Sequence, residues 1–266
     1  MQPHTAGFWG APTSTVDWCE ANYEHSPYIC EFFNTVTSFA MVVAGIAGIV
    51  VARRKQLEPR FTAAFVALAV VGLGSAAFHA TLRFELQMLD ELPMIYLALV
   101  MVHILAADRL EPRIRRVFTV ALCSYAVGLS VVCTASRGKL EFWLFQLSFG
   151  SLEGWCLWRI WALARESRRR DARTLFRIGM GSYAAGIAAW FVDIRYCSVL
   201  SSLPIPNPQL HAVWHVLASV GFSSLIAFMV VERAEIDPSR DGCADDARRT
   251  ATAGGAGRVP RTRHRP

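Results

Sequence analysis

Seven stretches of this chain are each long and apolar enough to cross a lipid bilayer, and nothing else in the sequence restricts the fold as much. They run over residues 32–52, 61–80, 89–107, 117–135, 140–164, 178–194 and 211–231. Spanning the hydrocarbon takes about 20 mostly apolar residues per helix. Backbone inside lipid must also satisfy its own hydrogen bonds, which for isolated segments of this kind leaves the α-helix. The predicted fold is therefore all-α, a polytopic membrane protein with a bundle of seven transmembrane helices. A chain of 266 residues with 53% hydrophobic and only 18% charged residues fits no ordinary soluble domain. Residues 1–31 precede the first run as an acidic, aromatic leader, which places that run too late for a cleaved signal peptide. Rich in Trp and Tyr, the leader reads as a cap at the membrane interface. Residues 32–231 read as one membrane domain, and the Arg-, Gly- and Ala-rich tail over 232–266 has the composition of disorder.

A net charge of +6 invites a nucleic-acid reading, but the cations alternate by side. Arg53, Arg54, Lys55 and Arg60 lie between the first two runs, and Arg109, Arg113, Arg115 and Arg116 between the third and fourth. Six arginines fall in 165–177 and eight after 231, so these segments hold 22 of the 27 cations. The opposite set of segments holds only Arg83, Arg137, Lys139 and Arg195. The positive-inside rule then predicts an extracellular or lumenal amino terminus and a cytosolic carboxyl terminus, and the three short loops suffice for this without the tail. That orientation fits the endoplasmic reticulum, the Golgi and the plasma membrane alike. The charge is accounted for without nucleic acid, and no segment points to a protein partner.

His79 closes the second run, and His211 and His215 open the last. The pair reads His211-Ala-Val-Trp-His215, so on a helix both side chains stack on one face. With alternating helix directions, His79, His211 and Asp90, which opens the third run, all gather near the outer face. A satisfied core histidine is the better reading of any one of these alone. Three at one depth, beside a carboxylate, favour a metal, because ionisable groups inside a membrane are costly and tend to be functional. Three imidazoles suit Zn²⁺ with a fourth position left for water. Asp90 can serve as a further ligand, as an orienter of a histidine or as a general base, and the base role is favoured. Ser75, one turn before His79, is either a small residue at a helix contact or a donor to a developing oxyanion. Glu91 reads as a helix-terminal or interface charge, and Pro93 as a first-turn proline. His103 carries no motif and reads as structural, while Glu153 and Arg159 are charges within the fifth run without a firm account.

The leader holds a second cluster, Asp17, Trp18, Glu20, Asn22 and, after a gap, Glu31. Its oxygens suit Ca²⁺; from spacing alone a solvated acidic surface is the stronger reading, and the spacing is not that of an EF-hand. Cys19 and Cys197 both fall on the outer side, where an oxidising compartment permits a disulfide.

These residues resemble one family in detail. Gly7-Phe-Trp-Gly-Ala-Pro-Thr-Ser-Thr-Val-Asp-Trp-Cys-Glu-Ala-Asn-Tyr23, Glu31-Phe-Phe-Asn-Thr-Val36, Gly74-Ser-Ala-Ala-Phe-His79, Leu89-Asp-Glu-Leu-Pro-Met-Ile-Tyr96, Trp190-Phe-Val-Asp193 and His211-Ala-Val-Trp-His215 closely resemble the alkaline ceramidases, in particular the alkaline phytoceramidase type. The likeness spans position 7 to about 231. It implies a seven-helix membrane hydrolase that cleaves ceramide to a sphingoid base and a fatty acid. By the same resemblance His79, His211 and His215 bind zinc, Ser75 supports the oxyanion and Asp90 moves the proton. Asp17, Trp18 through its backbone carbonyl, Glu20, Asn22 and Glu31 correspond to a calcium site, and Cys19 and Cys197 to a disulfide. The superfamily also contains the adiponectin receptors, so a seven-helix zinc-containing receptor is the alternative reading. The Arg-rich loops and tail depart from the family pattern.

Overall fold

The computed structural model describes residues 7–202 and 204–236. The disorder expected for the tail falls mostly on residues 237–266, which lie outside the described residues. Among the described residues seven α-helices follow one another: α1 Phe32–Arg54, α2 Pro59–Thr81, α3 Phe84–Ala106, α4 Pro112–Ala135, α5 Gly138–Glu166, α6 Arg170–Leu200 and α7 Leu210–Ile236. A single 3₁₀ turn, Ala107–Arg109, follows α3. No strand occurs among the described residues, and the chain is an all-α, multi-pass membrane protein.

Six of the helices are long and apolar enough to cross a membrane by composition alone. The exception is α5, whose 29 residues carry Glu141, Glu153 and Arg159. Both glutamates are buried within the protein rather than facing lipid, which is how a helix with such charges is kept in a bundle.

Helix α2 lies between α1 and α3, and α7 packs on α6, α1 and α2. Small residues set these distances, as in other membrane bundles. A Cβ on Gly45 of α1 would lie 2.7 Å from the Phe65 carbonyl oxygen of α2, and one on Gly74 of α2 would lie 1.8 Å from the Leu89 carbonyl oxygen of α3. The second contact has a cause in the sequence. Pro93 has no N–H for the carbonyl four residues earlier, and its ring pushes that carbonyl aside. That carbonyl belongs to Leu89, and the bare Gly74 leaves it room. Pro93 therefore sits well inside α3, not in its first turn, because the helix starts at Phe84, five residues before the apolar run.

The cap has no regular secondary structure, yet its backbone is pinned. Leu82 adopts a left-handed conformation, φ 48°, to turn the chain between α2 and α3, and its carbonyl accepts the amides of Thr13 and Ser14 at 3.0 and 3.1 Å. The amides of Cys30 and Glu31 donate to Ala80 and His79, the last carbonyls of α2. Those carbonyls lack partners within their own helix, so the cap completes α2. Cys19 and Cys197 form a disulfide with Cα atoms 5.2 Å apart. Tyr196, beside it, leaves helical geometry at φ −120°, ψ 20° and kinks the end of α6.

Candidate metal centre and its cap

His79 arrives from the last turn of α2, and His211 and His215 from the first turns of α7. The three rings lie 4.6 to 5.0 Å apart between centroids, all buried. One nitrogen from each falls within 4.8 Å of the others. His79 Nε2 and His211 Nδ1 are buried without a hydrogen-bond partner. Buried polar atoms normally have partners, so two orphaned imidazole nitrogens in one cluster fit a metal ion. Two of the other nitrogens are held by protein. His79 Nδ1 meets Glu31 Oε2 at 2.5 Å, and His215 Nδ1 lies 3.1 Å from the Asn34 carbonyl oxygen, with Thr37 and Ser38 Oγ at 3.1 and 3.3 Å. Partners of this kind fix the tautomer and ring orientation of a ligating histidine. The Trp18 ring stacks on His211 with centroids 3.6 Å apart.

Ser75 and Asp90 stand on α2 and α3 beside this cluster. Ser38 Oγ lies 3.1 Å from Ser75 Oγ. His211, His215, Ser75 and Asp90 open onto one cavity of 270 Å³, walled mainly by apolar side chains such as Met41, Leu68, Val71, Phe145, Phe149 and Phe222. An apolar chamber with a few convergent polar groups suits a lipid whose reactive part is polar. Glu153 lines the same chamber with both carboxyl oxygens unpartnered, while Arg159 lies over the Trp158 ring. Glu91 is no exposed terminal charge. Only 6% exposed, it accepts from Gln87 Nε2 at 2.9 Å, and Gln87 in turn takes the Thr15 amide at 2.8 Å. Thr15 also donates to Glu141 at 2.6 Å, so the cap covers this acid-rich knot and excludes the water that a helix-end charge would need.

The five leader residues of the expected calcium site occupy one side of the cap, close to His79. Asn22 Nδ2 donates to Asp17 Oδ1 at 3.2 Å. The Trp18 amide donates to Glu31 Oε1 at 3.2 Å. Glu20 does something the sequence did not reveal: its two oxygens accept the amides of Phe33 and Asn34 at 2.6 and 2.9 Å. It thereby caps α1 from outside the helix, where the residue before the first turn, Glu31, makes no side-chain cap. Burial pushes the Glu20 carboxyl up to about 7, with the neighbouring Glu31 adding to the effect. Burial likewise raises Glu31, reinforced by Asp17 and Asp193. Two buried, neighbouring carboxyls, Glu20 and Glu31, are oxygen donors of the kind a hard cation takes.

Sequence reasoning passed over Asn34, Thr37 and Ser38, although their i, i+3, i+4 spacing in an apolar run was a readable sign of an inward polar face. It gave Asp193 no role either. Asp193, 1% exposed, accepts the amide of Cys19 at 3.1 Å and that of His211 at 3.3 Å, joining the cap to the helix that carries two of the histidines.

Fold and site define a polytopic membrane protein with a buried three-histidine centre under an extramembrane cap. The family model described as Ceramidase matches residues 10–243, and the chain belongs to that family. It is 29% identical over 235 residues to an alkaline ceramidase of Arabidopsis thaliana, covering 88% of this chain and 90% of that protein. Alkaline ceramidase 3 of Mus musculus is 31% identical over 241 residues, covering 85% and 86%. An alkaline ceramidase of Saccharomyces cerevisiae is 30% identical over 241 residues, covering 81% and 75%.

Proposed function

We propose that this chain hydrolyses the amide of ceramide at a zinc centre formed by His79, His211 and His215, with a calcium ion in the cap. Membership of the family makes it a ceramide amidohydrolase; the metals and the residue roles are the proposal. The observation that carries it is the pair of orphaned nitrogens on His79 and His211, in a cluster that opens through His211 and His215 onto a chamber also lined by Asp90 and Ser75. Zinc bound there supplies a Lewis acid for the amide carbonyl and makes hydroxide accessible at ordinary pH.

The chain's own groups do the rest. Asp90 takes a proton from the attacking water and delivers it to the departing amine nitrogen, which balances the cleavage into sphingoid base and fatty acid. Ser75 donates its hydroxyl hydrogen to the oxygen of the tetrahedral carbon. Glu31 keeps Nδ1 of His79 protonated and Nε2 turned inward. The Asn34 carbonyl does the same for His215. The apolar walls receive the hydrocarbon tails and exclude bulk water. Asp17, the Trp18 carbonyl, Glu20, Asn22 and Glu31 would hold calcium, and Glu31 then touches both sites. The domain division reads as cap 1–31, catalytic bundle 32–231 and tail 232–266. The cap faces the lumen or exterior, following the charge bias of the loops.

The test is mass spectrometry of products from purified, metal-quantified protein given a mixed panel of phytoceramide, dihydroceramide and ceramide, with Asp90→Asn as control. Matched release of fatty acid and sphingoid base by the wild type, and none by the variant with zinc retained, is the expected result. No release from any panel member would sink the assignment.

A further inference from the structure

At the end of the bundle away from the histidines, α2, α3, α4 and α7 surround a pocket of 640 Å³ lined by Glu58, Arg60, His103, Asp108, Arg115, Arg116, Thr119, Val120 and Arg233, with Pro59. Its charges fall into two groups. Glu58 and Asp108 are each shared between Arg60 and Arg233: Arg60 reaches them at 2.7 and 2.8 Å, and Arg233 pairs with both. That square of two acids and two arginines is neutral. Arg115 and Arg116, on the first turns of α4, make no ion pair among the described residues, so the pocket keeps a surplus of two positive charges.

The wall that carries this surplus is also the least covered helix. Cys133 is the only buried side chain of α4, and the helix is clipped to α3 by two hydrogen-bonded pairs, His103 with Thr119 at 3.1 Å and Tyr96 with Ser130 at 2.6 Å. Directly beyond Arg116, Val117 and Val120 are exposed at 65% and 64%. An apolar strip thus runs from the mouth of a basic pocket along a helix that faces lipid.

We propose that this pocket binds the phosphate-bearing head of an anionic phospholipid from the arginine-rich face of the membrane, its acyl chains lying along α4. The ligand chemistry is a phosphate diester or monoester. Arg115 and Arg116 provide the fork-shaped donors that such oxygens take in pairs. Basic pockets between transmembrane helices at the cytosolic side are suited to anionic heads. A lipid is favoured over a soluble phosphate because the pocket opens at the end of a membrane helix onto apolar surface. The bound head would sit against the square that ties together the far ends of α2, α3 and α7, the helices that carry the histidines and Asp90.

The test is native mass spectrometry of the delipidated full chain in mild detergent, titrated with phosphatidylglycerol, with phosphatidylcholine of the same chains and with inorganic phosphate. Two interfacial basic residues at about fivefold each set the expected loss for Arg115→Gln/Arg116→Gln at roughly 25-fold in phosphatidylglycerol affinity. Arg53→Gln/Arg54→Gln, an equal charge change at the end of α1, should alter it by less than about twofold, since that site lies outside the pocket. Equal losses in the two double variants, or no loss in the first, would overturn the proposal. Displacement of the lipid by inorganic phosphate alone would overturn the lipid as occupant. Circular dichroism of the variants, whose changed side chains are exposed, checks that the fold is retained.

Discussion

Glu31→Gln is the sharpest probe of the metal centre. The carboxylate is fully buried and has three partners: Oε2 meets His79 Nδ1 at 2.5 Å and accepts from Asn34 Nδ2 at 3.1 Å, and Oε1 takes the Trp18 amide at 3.2 Å. Glutamine keeps the volume but offers one acceptor oxygen in place of two. Either His79 and Asn34 lose their acceptor or the Trp18 amide faces a second donor, and in both cases the negative charge is gone. Hydrogen bonds to charged groups contribute about 1.5–3 kcal/mol. Loss of the group that orients a ligating histidine typically costs about 10- to 100-fold in metal affinity or activity, equivalent to about 1.4–2.7 kcal/mol. The two estimates converge, so zinc affinity should fall by about one to two orders of magnitude. The assay is chelator competition on purified full-length protein, with zinc content by mass spectrometry and helix content by circular dichroism. A folded variant whose zinc affinity stays within about threefold of wild type would refute the reasoning, since the contact would then contribute well under 1 kcal/mol.

Four further outcomes follow from the same geometry. Asp90→Asn should abolish amide cleavage while zinc content stays at the wild-type level, read by product mass spectrometry beside metal analysis. Ser75→Ala should lower kcat by about 10²- to 10³-fold, the usual cost of a lost oxyanion donor, with little change in KM. Gly74→Val should prevent assembly, because its Cβ would overlap the Leu89 carbonyl oxygen at 1.8 Å; size-exclusion yield and thermal unfolding measure this. EGTA should depress turnover, with recovery on adding back calcium, and unchanged turnover of demonstrably calcium-free protein would remove calcium from the cap.

Helices were legible wherever lipid was their environment, because apolarity over about 20 residues is the physical requirement for crossing. Their ends were not. Phe84–Met88 of α3 were missed because Glu85 and Gln87 interrupt the apolar pattern; Gln87 is buried against the cap, so protein contacts decide its conformation. The long flanks of α6, with Arg170, Arg173 and Arg177 at one end and Cys197 at the other, likewise escape any hydropathy criterion. In the metal centre, His211 and His215 show themselves through a four-residue spacing that a helix turns into one face. The Glu31 bond to His79 spans 48 positions and the Ser38 approach to His215 spans 177. No local pattern encodes such pairs. Glu20 illustrates the same limit: its acidity suggested a ligand, whereas its capping of α1 depends on where the chain returns.

Asp193 and its neighbours impose an order on how the molecule is made. Cys19 is secured by Asp193, by the disulfide to Cys197 and by the Asn207 side chain, which donates to its carbonyl at 2.5 Å. All three anchors are synthesised 174 to 188 residues later. Until α6 and α7 have entered the bundle, the leader is held only along α2 and α3, its Cys19 segment has no anchor, and two of the three histidines are missing. A chain stopped before α7 therefore lacks a complete centre, and a lipid-cleaving activity is withheld from the membrane until that helix is in place.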